Sequence, residues 1–570
     1  MTRRPCFLGL SLSLALVGSP ARADESATFP VAIHVQADRV TGPLRTFWRY
    51  FGGDEPNYTT MKDGQKLLGQ LGELAPDRVY FRTHNLLNTG DGTAAFKWGS
   101  TDAYHEDANG NPRYNWTGID RIFDSGLSRG VRPLVEIGFM PEALSIEPAP
   151  YRHAWRPGFP YEMIYTGWRM PPTDYAKWEE LVYQWTKHCV ERYGAAEVEQ
   201  WWWEVWNEAN NQPDGYWGGT PEEFFKLHDY AIAGVRRALP TARVGGPHTA
   251  GHGGAFMEGF LEHALHGTNY ATGEQGTPLD FVAFHAKGSP TVVDDHIRMG
   301  IANQLRTIDT AFARFASYSE LRDIPVIIGE SDPEGCAACQ GPQLAYRNGT
   351  MYSSYTAASF ARKHDLADRY QTNLEGAVTW AFTFEDQPYF AGFRQLASNG
   401  LSLPVLNVFR MFAKMGPDRI AATSNHEVAL DAILRDGVRG DADVGVLASR
   451  APQGRITVLV WHYHDDDISG PDATVTLALD GLALADGPQP FTHYRIDQTH
   501  SNSYAAWLRM GSPIAPDYEQ YQALEAASEL SALQGSPAVV NVESGHASVV
   551  FSLPRQGVSL LVLGPAESSL

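Results

Sequence analysis

Two carboxylates stand out by position. Glu208 closes the run Gln200-Trp201-Trp202-Trp203-Glu204-Val205-Trp206-Asn207-Glu208, and Glu330 closes Pro325-Val326-Ile327-Ile328-Gly329-Glu330. Aromatic and β-branched runs of this kind fit buried strands, so each acid is expected where a strand ends and polar chain begins. Two carboxyl groups delivered to one cleft can share acid–base and nucleophilic work. Cleavage of a glycosidic bond needs that division: one carboxyl protonates the departing oxygen while the other acts at the anomeric carbon. A gap of roughly 5 Å allows direct attack and a covalent intermediate, whereas about 7–9 Å leaves room for water.

The elements that must position them follow from the pattern around them. Strand and helix signals alternate from about residue 45 to about 415. Strands are expected at Thr46 to Gly52, Arg78 to Thr83, Arg132 to Phe139, Val198 to Val205, Arg243 to Pro247, Asp280 to His285, Pro325 to Gly329 and Gly376 to Phe382. Helices between them include Gly64 to Leu74, Trp116 to Arg129, Thr173 to Tyr193, Pro221 to Leu239, Asp294 to Ser317 and Tyr352 to Gln371. Eight such units make an α/β chain with a (β/α)8 TIM barrel and enlarged loops, whose strand C-termini share one mouth. A doubly wound open sheet is the alternative, but no Gly-rich phosphate loop follows the first strand.

Other strand ends carry groups suited to the same chemistry. Strand two runs into Arg82-Thr83-His84-Asn85, strand three holds Glu136, and Asn207 precedes Glu208 on strand four. Strand six delivers His285 and Lys287. Strand eight delivers Trp380 and then Glu385, with Arg394 further on. His84 and His285 can equally be packed barrel histidines, and Glu136 a carboxylate paired inside the barrel. His248 and His252 have helical metal spacing but stand in a Gly-rich loop, so neither a metal nor another cofactor is expected.

After Gly416 the alternation stops. Short strands at Arg455 to His464, Ala473 to Leu479, Thr492 to Ile496, Ala547 to Leu553 and Val558 to Leu563 suggest an accessory β-sandwich, interrupted by a helix at Tyr518 to Leu530. Phe29 to Val35 reads as a strand that joins this sheet. The expected division is a signal peptide over 1–23, an N-terminal sandwich strand over 24–40, the barrel over 41–415 and the sandwich over 416–570.

The leader has Arg3 and Arg4, an apolar stretch from Phe7 to Val17 and an Ala21-Arg22-Ala23 cleavage site, so export is expected. Losing Arg3, Arg4 and Arg22 takes the formal charge from −21 to −24. That charge offers phosphates no net attraction, which argues against nucleic acid and anionic membrane surfaces as partners. Aromatic residues are 12% of the chain, enough for a cleft that stacks on sugar rings as well as for a core. In an exported protein Cys336 and Cys339 can close a small disulfide ring or remain thiols; the ring is expected, with Cys189 reduced and buried.

These residues resemble a known family. Trp206-Asn207-Glu208 on strand four and Gly329-Glu330 on strand seven are similar to glycoside hydrolase family 39, and Leu134 to Pro141, Phe284 to Gly288 and Pro404 to Met415 extend the resemblance. It implies retaining β-xylosidases or α-L-iduronidases, with Glu208 as acid/base, Glu330 as nucleophile and Asn207 on the sugar's 2-hydroxyl. Burial beside Trp203 and Trp206 would raise the pKa of the acid, while His285 or Arg82 would keep the nucleophile ionised. An exo-acting β-xylosidase is the leading expectation, because Phe384 to Phe390 resembles the bacterial xylosidases. Lys287 and Glu330-Ser331-Asp332-Pro333 resemble the iduronidase branch, where Lys287 and Arg394 would meet a uronic carboxylate. A carbohydrate-binding barrel without catalysis is the remaining alternative; it would be expected to have lost one carboxylate of the pair.

Overall fold

Seven strands, Tyr50–Gly53, Val79–Thr83, Val131–Ile137, Trp202–Val205, Arg243–Thr249, Phe281–His285 and Val326–Glu330, lie side by side in chain order, every pair parallel. The eighth is split. Leu374–Ala377 pairs with strand seven, and Thr379–Trp380 pairs with strand one, which closes the barrel. This computed structural model describes residues 28–565 apart from 95–98, 151, 155–162, 166 and 212–214. The expected leader, residues 1–23, lies outside the described residues.

Helices Lys62–Leu74, Thr117–Leu127, Tyr175–Tyr193, Pro221–Ala238, Gly254–His266, Ile301–Ala316, Thr350–Tyr370 and Pro404–Ala413 follow the strands in turn. Two of them start on a side-chain cap. Thr220 accepts from the Glu223 amide while the Glu223 side chain accepts from the Thr220 amide, and Pro221 takes the first turn. Asp174 likewise accepts from the amides of Ala176 and Lys177.

Strand four shows how the chain sorts its two faces. Trp203 meets Trp185 of the helix layer edge-on at 5.7 Å, whereas the adjacent Glu204 turns into the barrel and reaches Arg82. Alternation puts one side chain against helices and the next on the axis. Trp203 therefore lies on the outer face, not beside Glu208 as expected from the sequence. The strand also starts later than expected, at Trp202, because Ala195–Val198 is helical. In the same way Phe47–Arg49 is a 3-10 turn before strand one. The expected helical residues from Asp294 instead complete a hairpin, Thr291–Val293 with His296–Arg298, and the helix begins at Ile301.

The second sheet has nine strands in the order Val539–Val542, Gly487–Ile496, Val558–Leu563, Ile456–Tyr463, Asp443–Arg450, Asp418–Ser424, Thr28–Pro43, Asp472–Asp480 and Ala547–Leu553. Residues from both ends of that order, Val542 and Phe551, share one apolar core with Ile33, Val444 and Val475. The sheet thus folds over itself as a β-sandwich. Thr28–Pro43 sits inside it, antiparallel to Asp418–Ser424 and parallel to Asp472–Asp480, with Val31, Ile33 and Val35 on the buried side. No helix among the described residues is long and apolar enough to cross a membrane.

Candidate active site

The turn that ends strand four is held in an unfavourable backbone state. Trp206 and Glu208 have φ of 70° and 47°, and His248, at the end of strand five, has 49°. Left-handed conformations of non-glycine residues cost about 1–3 kcal/mol each and persist where surroundings hold them. Here the Trp206 ring stacks on Phe139 at 4.6 Å, its indole nitrogen donates to the Tyr216 carbonyl at 2.8 Å, and the Glu208 amide donates to the His248 carbonyl at 3.0 Å. The result aims the Glu208 side chain at strand six.

Below the mouth, Arg82 is the hub. Its guanidinium is fully buried and lies 2.5 Å from Glu204, 2.7 Å from Glu136 and 3.1 Å from Glu330. It also donates to the Asn207 side-chain oxygen at 3.1 Å, which fixes that amide. A buried cation is tolerated only when paired, and here it is paired three times over. Glu136 accepts from the Asn85 amide and lies 2.8 Å from His84 Nδ1. Despite burial, His84 and Arg82 hold its carboxyl below the ordinary value. Glu204, pushed the other way by burial and by the charges of Glu136 and Glu330, has its carboxyl raised well above the ordinary range, even with Arg82 beside it. Its second oxygen contacts His248 Nε2. Burial, then Arg82 and His285, hold His248 neutral.

The two mouth carboxylates converge on His285. His285 Nδ1 lies 2.8 Å from Glu208 Oε1 and 3.7 Å from Glu330 Oε1, and ligand atoms of all three residues lie within 4.8 Å of one another. Lys287 Nζ lies 2.6 Å from Glu330 and 2.9 Å from Asp332. Burial opposes charge on Glu330, but Lys287, then His285 and Arg82, overcome it and hold the carboxyl well below the usual range. The Glu208 side chain keeps 16% of its surface, against 7% for Glu330. Gly329 makes the close packing possible, since a Cβ there would stand 2.0 Å from His248 Nδ1. The trio Glu208, His285 and Glu330 has the spacing of metal ligands, although Lys287 and Arg82 already bring two positive charges to Glu330.

The remaining residues singled out from the sequence fall into different settings. Trp380 is 1% exposed, with Arg82 over its ring at 4.9 Å and its indole nitrogen donating to Asp54 at 2.7 Å. His84 packs edge-on against it at 4.9 Å. Both form the floor of the site. Glu385 accepts from the amides of Asp63 and Gly64 and so caps the helix Lys62–Leu74. Arg394 is fully buried, donating to the Trp380 carbonyl at 2.9 Å and paired with Glu334. Cys336 and Cys339 are bonded, and Cys189 is a buried free thiol.

Sequence reasoning did not single out Glu204, Asp332, Glu334 or Arg347. For Glu204 a signal was present. Two inward-facing strand acids, Glu136 and Glu204, require a buried cation, and Arg82 on the neighbouring strand is that cation.

The arrangement can be set beside known proteins. The chain is 26% identical over 522 residues to a β-xylosidase of Caldicellulosiruptor saccharolyticus, covering 88% of this chain and 92% of that one. It is 27% identical over 567 residues to the α-L-iduronidase of Homo sapiens, covering 92% and 77%. Its fold matches the solved structure of a bacterial orthologue of human α-L-iduronidase with a TM-score of 0.74 and 19% identity, over 95% of this chain and 84% of that one. The model of the family described as glycosyl hydrolases family 39 matches residues 31–541. That match runs from the first sandwich strand through the whole barrel and nearly to the end of the sandwich, and the chain belongs to glycosyl hydrolases family 39.

Proposed function

We propose that this chain is an exo-acting retaining glycosidase that releases xylose from the ends of xylo-oligosaccharides. Glu330 is the nucleophile, Glu208 the acid/base, and Asn207 the donor to the sugar's 2-hydroxyl. The observation that carries the reading is the short gap between the carboxylates, within 4.8 Å; inverting enzymes keep about 6.5–9.5 Å between theirs to seat a water. Glu330 attacks the anomeric carbon as its bond to the leaving oxygen breaks, and the Glu208 proton passes to that oxygen. Glu208 then takes a proton from the water that releases the glycosyl ester. Lys287 and Arg82 keep the attacking carboxylate ionised, and His285 orients the acid.

A neutral sugar is favoured because both candidate partners of a uronic carboxylate already hold acids. Lys287 lies between Glu330 and Asp332, and Arg394 is buried on Glu334. The β-xylosidase relative, matched along 92% of its length, supports the same choice. One observation favours a second reading, an α-L-iduronidase-like enzyme: Arg394 Nη2 is buried without a hydrogen-bond partner among the described residues. We also propose that the enzyme acts outside the cytoplasm, in keeping with the leader and with the Cys336–Cys339 bond. N-terminal sequencing of the mature protein should then start near Asp24.

A panel of aryl glycosides of xylose, arabinose, glucose, galactose, iduronic acid and glucuronic acid, followed by NMR of the first-formed sugar, tests the reading. Xylose released as the β-anomer is the expected result. First-formed α-xylose would end the retaining mechanism, preference for the iduronide would favour the second reading, and silence on every substrate would leave a carbohydrate-binding barrel.

A further inference from the structure

Arg347 is a buried arginine that the proposed chemistry does not use, and its surroundings are unusual. Its guanidinium donates to Cys336 O at 2.6 Å, Ala337 O at 3.1 Å and Cys339 O at 2.6 Å. Three carbonyls of a four-residue segment thus converge on one cation, and the segment is closed by the Cys336–Cys339 bond. The same guanidinium donates to Gly392 O at 3.1 Å and to Glu334 Oε1 at 2.9 and 2.5 Å. All three of its nitrogens are used, which is what a guanidinium excluded from water requires.

Glu334 is gripped from the other side as well. Arg394 pairs with its carboxylate and donates to its carbonyl at 2.6 Å, and the Arg394 amide donates to Ala337 O at 3.0 Å. The segment after strand seven is therefore pinned at Glu334, four residues past Glu330. Between those points lies Asp332, which accepts from the Trp380 amide at 2.9 Å and from Lys287 at 2.9 Å. Lys287 in turn lies 2.6 Å from Glu330.

We propose that Arg347, seated in the Cys336–Cys339 ring, is a positioning residue for Glu330: it fixes the strand-seven loop so that Asp332 holds Lys287 against that carboxylate. The inference rests on Glu330 being the nucleophile. Opening the ring lets the three carbonyls diverge, frees Glu334 from one of its two clamps, and lets Asp332 and Lys287 drift. A small misplacement of groups around a reacting centre costs far more in turnover than in binding. Glu330 is also faced by Arg82 and His84, Glu204 and Glu208, His248 and His285, and these are common to every form compared below.

The experiment compares the oxidised full-length enzyme with Arg347→Lys, with Cys336→Ser/Cys339→Ser, and with wild type whose ring has been reduced and alkylated below its melting transition. The substrate is whichever aryl glycoside of the panel the oxidised wild type hydrolyses. The expected result is a fall in kcat of about tenfold or more with KM within about threefold, and an acid limb of kcat/KM moved to higher pH. In a Lys287→Met background the same changes should produce no further movement of that limb, a non-additivity that marks one shared path. Unchanged kcat and acid limb with only a lower Tm would overturn the proposal and leave the ring a structural staple. Where the variants do not fold, the reduced wild type decides by the same two readouts. An oxidised wild type that hydrolyses nothing in the panel would instead end the glycosidase reading itself, and this proposal with it.

Discussion

Lys287 and Glu330 form a 2.6 Å ion pair between the ends of strands six and seven, and the ammonium is shared with Asp332. A cation so placed stabilises the charged form of Glu330. In the proposed role Glu330 must be ionised to attack, so the acid limb of kcat/KM is expected to follow its protonation in the free enzyme. Lys287→Met removes the leading attraction that outweighs burial, so the Glu330 pKa rises and the limb moves to higher pH. A pH–rate profile checks this. A limb that stays in place would show that Arg82 and His285 suffice.

The two carboxylates should differ in kinetics. On the proposed roles, Glu330→Ala removes the attacking group and should silence every substrate. Glu208→Ala should still form the glycosyl enzyme from an activated aryl glycoside, lose xylobiose, and show a lowered apparent KM as the intermediate accumulates. Azide should rescue Glu208→Ala to the β-azide and Glu330→Ala to the α-azide. NMR of the products reads the assignment, and swapped configurations would reverse it.

Arg82 compensates three buried acids, so Arg82→Met should destabilise the fold by about 3–5 kcal/mol. The sign with pH follows from linkage. Without the guanidinium the folded pKa values of Glu136, Glu204 and Glu330 rise, and a carboxyl raised on folding costs stability once pH exceeds its unfolded value. The deficit is then largest near neutrality and narrows in acid. Denaturant unfolding of wild type and variant across pH measures it; a deficit constant with pH would point to lost packing alone.

Lys363, fully buried on the helix Thr350–Tyr370 with Nζ 3.1 Å from Ser359 Oγ, has its pKa pulled down by burial to about 7, against the attraction of Asp332. Between that value and its ordinary 10.5, the unfolded chain binds a proton that the folded chain refuses, so its contribution to stability rises with pH through that window. Lys363→Met should stabilise by about 1–4 kcal/mol at pH 7 and below. The gain should fade towards pH 10.5. Urea midpoints at several pH values test this, and a uniform gain would argue that the lysine is charged in the fold.

The strand ends were legible in the sequence because apolar runs stop abruptly at polar residues, and that pattern alone brings Glu208 and Glu330 to one mouth. What lies beneath was harder. Glu204 sits between Trp203 and Val205, and only the alternation of faces reveals that it points inward to Arg82. Glu385 and Arg394 looked like sugar contacts because they follow strand eight. A sequence gives no sign that one carboxylate caps a distant helix or that one guanidinium is sealed against Glu334. Val198 and Trp201 are apolar like strand four, but Glu199-Gln200 breaks the run between them, and it is there that the short helix Ala195–Val198 gives way before the strand begins at Trp202.

The strand Thr28–Pro43 has a consequence in time. Both of its neighbours, Asp418–Ser424 and Asp472–Asp480, come from the far end of the chain, with the whole barrel between. At roughly 5–20 residues per second, a growing polypeptide exposes this strand on the order of a minute before its partners exist. Through that interval Val31, Ile33 and Val35 are an unpaired apolar edge, open to pairing with another chain. Once the last strands arrive, the same segment locks the beginning of the protein to its end, so the barrel is released from the sandwich only by undoing both.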